Sequence, residues 1–255
     1  MFNALACSAL GAIEFYLRAI QLNTDANLLT MYGANIVVPA SRNLNTWSRP
    51  GGKAFISGAD ISEFEEKRSS SEAVLEYDKI AGQANAAIIG FSKPTIAMIQ
   101  GYCIGGGLGV ALCCDLRIAT EDSSFAVPAA KLGLGYAYEG IKRLVDIVGP
   151  AFAKEIFYTA RRFDSSEAQG MGLVNRVVPR AKIEAYVRDY AASIGENAPL
   201  TIRSVKLCVN EATKDPSDRN LAAAQVAVDA CFASEDYIEG RNAFLEKRKP
   251  IFRAR

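Results

Sequence analysis

Gly101-Tyr102-Cys103-Ile104-Gly105-Gly106-Gly107-Leu108-Gly109-Val110-Ala111-Leu112 is the stretch on which the reading of this chain turns. An apolar, strand-like run, Pro94-Thr95-Ile96-Ala97-Met98-Ile99, leads into it, and apolar residues at helical spacing continue it. Consecutive glycines have no side chains, so their backbone N–H groups can come close to a ligand. At the start of a helix those N–H groups lack intrahelical partners and carry the positive end of the dipole. Such a place suits an anion, or an oxygen that becomes one during a reaction. The competing interpretation is a tight turn or close helix–sheet packing, and the surrounding residues decide between them.

Working outward, 255 residues suffice for one large domain or a domain with a small appendage. Half the residues are apolar and 22% are charged, which predicts a sizeable buried core. The formal net charge is +1 with Lys and Arg spread along the chain, so neither a nucleic-acid stripe nor a membrane-surface patch is expected. Cys7, Cys103, Cys113, Cys114, Cys208 and Cys231 form no CxxC pair and read as reduced thiols of a cytoplasmic protein. No apolar run approaches the roughly 20 residues of a membrane span. The apolar start, Met1 to Gly11, lacks a basic n-region, so no signal peptide is expected. Histidine is absent, which removes Ser-His and Cys-His dyads, His-ligated metals and an imidazole base. Proton transfer then falls to Asp, Glu, Tyr, Lys, Cys or bound water, and no metal site is expected.

From Lys53 onward, short β-like runs alternate with longer helical ones, which predicts an α/β layered fold. Strands are expected at Lys53 to Ile56, Pro94 to Ile99, Leu116 to Ala119, Ser124 to Val127 and Leu173 to Val178. Ser57 to Asp60 is read as a turn. Helices are expected over Ser71 to Ile89, Leu108 to Cys114 and Gly140 to Ile147. Asp164 or Ser165 can cap a further helix that Gly170 or Gly172 ends. Beyond it, Lys182 to Ile194, Leu200 to Ala212, Leu221 to Phe232 and Asp236 to Lys247 read as helices, the last with Ser234 or Glu235 near its cap. Residues 1–195 are thus expected to form a core domain and 196–255 a helical C-terminal region. Within the first 50 residues, Leu28 to Ala40 can supply a strand and Ser41 to Gly52 is loop-like.

Together these residues resemble the crotonase family, the enoyl-CoA hydratase/isomerase superfamily, from about Gly51 to Phe252. Lys53-Ala54-Phe55-Ile56-Ser57-Gly58-Ala59-Asp60-Ile61 is similar to its first signature. Lys93-Pro94-Thr95-Ile96-Ala97 through Gly107, then Cys114-Asp115-Leu116-Arg117-Ile118-Ala119, is similar to its second. Ala168 through Pro179 and Gly240 through Lys247 match later segments in the right order. Residues 1–50 match the family's pattern poorly, through either genuine divergence or an altered reading frame upstream of Gly51.

The resemblance implies a crotonase-like spiral of ββα units with a helical C-terminal trimerisation region, assembled as a homotrimer or homohexamer. It implies an acyl-CoA substrate, with coenzyme A as part of that substrate rather than a resident cofactor. Two backbone N–H groups, those of Ala59 and Gly106 by position, would form an oxyanion hole for the thioester carbonyl. Ala59, Asp60, Ile61 and Ser62 would lie along the CoA moiety, and Phe244 and Lys247 would touch its nucleotide, sometimes from a neighbouring subunit. Asp60 also suits a cap of its own turn.

The departures concern the reaction. Hydratases of the family carry one glutamate two residues after the GGG run, which is Gly109 here, and a second after a proline, which is Ala129 here. An aspartate used by some isomerases and a dehalogenase corresponds to Ala137. What remains nearby is Tyr136-Ala137-Tyr138-Glu139-Gly140. Glu139 can serve as a base if the fold buries it against the tyrosines, or simply open a helix where its charge favours the dipole. Tyr136 or Tyr138 can donate to an oxyanion or a polar acyl group. The expectation is an enolate-stabilising acyl-CoA enzyme of fatty-acid type, isomerase-like rather than a two-glutamate hydratase. A thioester hydrolase or decarboxylase, a non-catalytic acyl-CoA binder and a defective or partly misread gene product are the alternatives.

Overall fold

The computed structural model describes residues 35–37, 54–56 and 71–255. Its strands are β1 (Asn35–Val37), β2 (Ala54–Ile56), β3 (Ile96–Ile99), β4 (Tyr102–Ile104), β5 (Leu116–Thr120), β6 (Ser124–Ala126), β7 (Phe163–Asp164) and β8 (Arg176–Val178). They form two four-stranded sheets, ordered β1-β3-β5-β8 and β2-β4-β6-β7. The first three strand pairs, β1/β2, β3/β4 and β5/β6, each send their first strand to one sheet and their second to the other, and β7/β8 reverse that order. Thus β3 and β5 pair in parallel, as do β4 and β6, so consecutive turns of the chain stack on one another. This is the expected spiral, and its parallel pairing also places β2 beside β4.

Hydrophobic patterning explains the layers. All four residues of β3 are buried, as suits a strand covered on both faces. Ile96 and Met98 join Ile118, Val178, Ile183, Val187 and Ala191 in one cluster. Ala97 and Ile99 point the other way, into the larger core with Phe55, Ile88, Leu108, Phe125, Leu144 and Ile156. The alternation is the period of two that strands impose.

The helices are α1 (Ser71–Ile89), α2 (Gly106–Cys113), α3 (Tyr138–Thr159), α4 (Ser165–Gly170), α5 (Ile183–Gly195), α6 (Pro199–Ala212), α7 (Leu221–Phe232) and α8 (Glu235–Leu245). Local chemistry sets several boundaries. Asp164 accepts from the Glu167 N–H at 2.8 Å while Glu167 accepts from the Asp164 N–H at 3.1 Å, a capping box opening α4. Ser234 caps α8 by accepting from the Tyr237 N–H at 3.1 Å.

Two differences from the sequence expectation bear on the site. The glycine stretch contains a short strand, β4, that is absent from the expected strands. It has three residues between glycines and so shows no alternation to read. In addition, α3 starts two residues earlier than expected and runs on to Thr159, past Gly149 (φ 76°, ψ 166°), where two helical segments meet at a kink. Pro150 opens the second segment, where its missing N–H costs nothing.

Among the cysteines, Cys103, Cys113 and Cys114 are buried and free. Burial pushes the Cys113 thiol up to about 11, and the nearby Arg143 and Arg117 only partly offset it.

Candidate oxyanion site at the glycine turn

The chain passes from sheet to helix within one residue. The Gly105 N–H donates to the Ala126 carbonyl at 2.8 Å and so belongs to the β4–β6 ladder. Gly105 has φ 56° and ψ −119°, a left-handed conformation that favours glycine. Gly106 is already the first residue of α2, and no side chain caps that end. The leading N–H groups of α2 therefore have no intrahelical acceptor and carry the dipole's positive end. Gly106 is exposed, and a Cβ added there would meet nothing within 4 Å.

Gly107 has a different task. A Cβ at Gly107 would collide with the Ile56 carbonyl oxygen and come within 2.7 Å of the Ile56 Cβ. The glycine lets α2 press onto the end of β2. Because β2 and β4 are parallel neighbours, the chain leaves both strands at the same edge. The first signature continues from that edge, but Ala59, Asp60, Ile61 and Ser62 lie outside the described residues, as does the turn at Ser57 to Asp60.

The three expected carboxylate positions carry no carboxylate. Ala129 is buried in a short 3-10 helix, Pro128–Leu132, and Ala137 is the N-cap residue of α3. Gly109 faces the segment that leads into α3: a Cβ built on it would lie 4.0 Å from the Tyr136 hydroxyl oxygen. The Tyr136 ring is held from two sides. It meets Phe157 edge-on with centroids 5.0 Å apart. Its Cε1 would lie 3.2 Å from a Cβ at Gly140, so glycine there makes room for the ring. Sequence reading named Tyr136 but had no means of pairing it with Gly109 or of finding Phe157.

The other candidates are not gathered there. Tyr138 and Glu139 occupy the first turn of α3, Tyr138 with 65% exposure and Glu139 also exposed. The burial that would have recommended Glu139 as a base is missing, and it takes the alternative place at a helix N-terminus, where its charge favours the dipole. Phe244 is 82% exposed near the end of α8, and Lys247 follows it with a positive φ of 55°.

A buried cation fixes the far end of α2. The Arg117 guanidinium donates through Nη1 to the Cys114 carbonyl at 2.8 Å and through Nε to the Leu173 carbonyl at 2.7 Å. Positive charge at a helix C-terminus is favourable, and the carbonyls there need donors. Asn175 completes the tie by accepting from the Arg117 N–H at 2.8 Å. The expected motif Cys114 to Ala119 thus anchors the helix whose other end carries Gly106. Among the described residues no cluster of three metal-ligating side chains occurs, and no helix is long and apolar enough to cross a membrane.

The described residues thus form a two-sheet α/β spiral with a glycine-opened helix at one strand edge. The family model described as enoyl-CoA hydratase/isomerase matches residues 49–255. A crotonyl-CoA hydratase of Syntrophomonas wolfei is 38% identical over 202 residues, covering 79% of this chain and 77% of the relative. A short-chain-enoyl-CoA hydratase of Clostridium acetobutylicum is 30% identical over 247 residues, covering 97% and 88% respectively. The crystal structure of an enoyl-CoA hydratase/carnithine racemase from Magnetospirillum magneticum superposes with a TM-score of 0.74 at 37% identity, covering 81% of this chain and 76% of that one. The chain belongs to the enoyl-CoA hydratase/isomerase family, the crotonase superfamily.

Proposed function

We propose that this protein is an acyl-CoA enzyme that polarises a thioester carbonyl with the Gly106 N–H, paired with that of Ala59, and stabilises the enolate that forms. The observation that carries this is the pair of facts at α2: an uncapped glycine N-terminus at the edge shared with β2, and no carboxylate at Gly109, Ala129 or Ala137. An oxyanion hole serves any enolate-forming reaction, whereas two-glutamate hydration needs two carboxylates that are not in the sequence at those positions. Isomerisation, which moves one proton, fits this residue set better. Coenzyme A enters as part of the substrate, with Asp60, Ile61, Ser62, Phe244 and Lys247 along it. The family resemblance implies a trimer or hexamer, in which the exposed Leu221, Val226, Phe232 and Phe244 are candidates for burial.

The missing carboxylates support one rival reading, an acyl-CoA binder without turnover. A substitution at the hole separates the two. Gly106→Pro removes the N–H at the first helical position, where proline is tolerated and where open space surrounds the residue. Turnover of 2-enoyl and 3-enoyl thioesters should fall about 100-fold or more, with little change in melting temperature. Hydration and isomerisation are followed separately by loss and gain of the conjugated absorbance. Binding of the thioesters by the unmodified protein with no turnover of either would establish the binder.

A further inference from the structure

The end of the chain folds back along α8. Asp236, 4% exposed, accepts from the Arg253 N–H at 2.6 Å and from the Ala254 N–H at 2.9 Å. Its own N–H donates to the Arg255 carbonyl at 3.3 Å. Glu239 accepts from Arg248 and from the Ile251 N–H, and Glu235 accepts from the Arg255 guanidinium. The Phe252 ring would lie 3.4 Å from a Cβ at Gly240. Asp236, Glu239, Gly240 and Ala243 follow one another at helical spacing, so residues 248–255 form a strap along one stripe of α8.

The helix depends on that strap. Asp236 and Ala243 are its buried residues, and both lie on the stripe, while Tyr237, Ile238, Phe244 and Leu245 are exposed. Among the described residues the two apolar core clusters include nothing beyond Ile194. The Lys249–Glu196 pair, 3.9 Å apart and exposed on both sides, adds little. With 11 residues, α8 is shorter than the ~12–15 at which even a good isolated helix is marginal in water.

The strap depends on the helix in turn. It bends through Lys247 (φ 55°) and Ala254 (φ 61°), left-handed conformations that residues with a side chain adopt rarely. Such bends persist where the surroundings fix them. At the first, the Arg248 N–H donates to the Ala243 carbonyl at 3.0 Å; at the second, the Ala254 N–H is held by the Asp236 carboxylate.

We infer that α8 and the strap are a latch, a unit that opens and closes as a whole while the core stays folded, with Asp236 as its catch. Loss of the Asp236 bonds frees the second bend, and a freed strap leaves a helix too short to stand alone. The inference is independent of the reaction the protein carries out.

Its test is hydrogen exchange of the full chain, read by mass spectrometry at urea concentrations below the unfolding transition. Amides of α8 and of residues 248–255 should follow one common dependence on urea, exchanging at least about tenfold faster than those of β3. Asp236→Asn should quicken both segments alike, by about tenfold or more, because two hydrogen bonds to a charged acceptor are weakened, and should leave β3 unchanged. A strap that exchanges ahead of an unaffected α8 would overturn the inference, as would segments that open only together with the core. Unchanged exchange in Asp236→Asn would remove Asp236 as the catch. Should that variant fail to fold, the urea series on the unmodified protein still decides whether the two segments open as one.

Discussion

Gly106, Gly107 and Gly109 show how one residue type does three things within a single turn of chain. Gly106 leaves an amide open, Gly107 allows a helix to touch a strand, and Gly109 leaves a space that Tyr136 faces. Only the second is a matter of stability. Adding a methyl group at Gly107 sets a side chain against the Ile56 backbone, which cannot swing aside as a flexible side chain can. Gly107→Ala should therefore cost about 1–3 kcal/mol, the usual range for overpacking, measured by urea denaturation. Because relief requires α2 and β2 to separate, turnover should fall as well. Gly109→Ala, whose added carbon reaches only ordinary contact distance, is the control that should change stability little.

At the scale of elements, α2 is a short helix held at both ends by different means. Its N-terminus rests on β2 through Gly107, and its C-terminus is tied by Arg117 to the segment before β8. Burial lowers the Arg117 guanidinium from its usual range, with the neighbouring thiols and Asp115 acting in the opposite direction. The residue persists because the Cys114 and Leu173 carbonyls accept from it. Arg117→Met should destabilise the protein by about 2–3 kcal/mol, since charged hydrogen bonds are lost and buried carbonyls are left without donors. A thermal melt that matched the unmodified protein would contradict this account. A second tie acts on α6, where the Lys206 ammonium donates to Asp115 at 2.8 Å and to the Lys93 carbonyl at 2.9 Å, and the Thr95 N–H reaches the same carboxylate oxygen at 2.6 Å. Both ties meet at the Cys114-Asp115-Leu116-Arg117 corner, so this motif's polar residues serve the frame of the site.

For the molecule as a whole, the last residues are fastened by carboxylates on α8. Glu239 accepts two hydrogen bonds from Arg248, at 2.6 and 2.8 Å, and one from the Ile251 N–H at 2.8 Å. The Arg248 bonds, aided by the backbone one, hold the Glu239 carboxyl down at about 2. A carboxylate depressed in the folded state stabilises it above its unfolded value of about 4.3, and that contribution fades as pH falls toward the folded value. The difference in melting temperature between the unmodified protein and Glu239→Gln should thus be constant above about pH 5 and shrink toward pH 2. A difference that stayed flat throughout would refute the linkage. The sequence by itself determined a large share of this architecture. The bounds of α1 and α7 and the caps of α4 and α8 coincide with its apolar spacing and its Asp and Ser signals. Those are local preferences of backbone and side chain, readable a few residues at a time. A strand, a glycine run and a helix in order predict open N–H groups at that turn, while the choice of Gly106 came from the family resemblance and the helix begins there, two residues before the expected Leu108. Local signals were silent on β4, too short to alternate, and on the continuation of α3 beyond Gly149 and Pro150. Only tertiary structure decided that Gly107 meets Ile56, that Glu139 faces outward, and that the Tyr136 hydroxyl stands over Gly109. These are meetings of residues remote in the chain, set by how parallel strands and kinked helices pack, and no local periodicity encodes them.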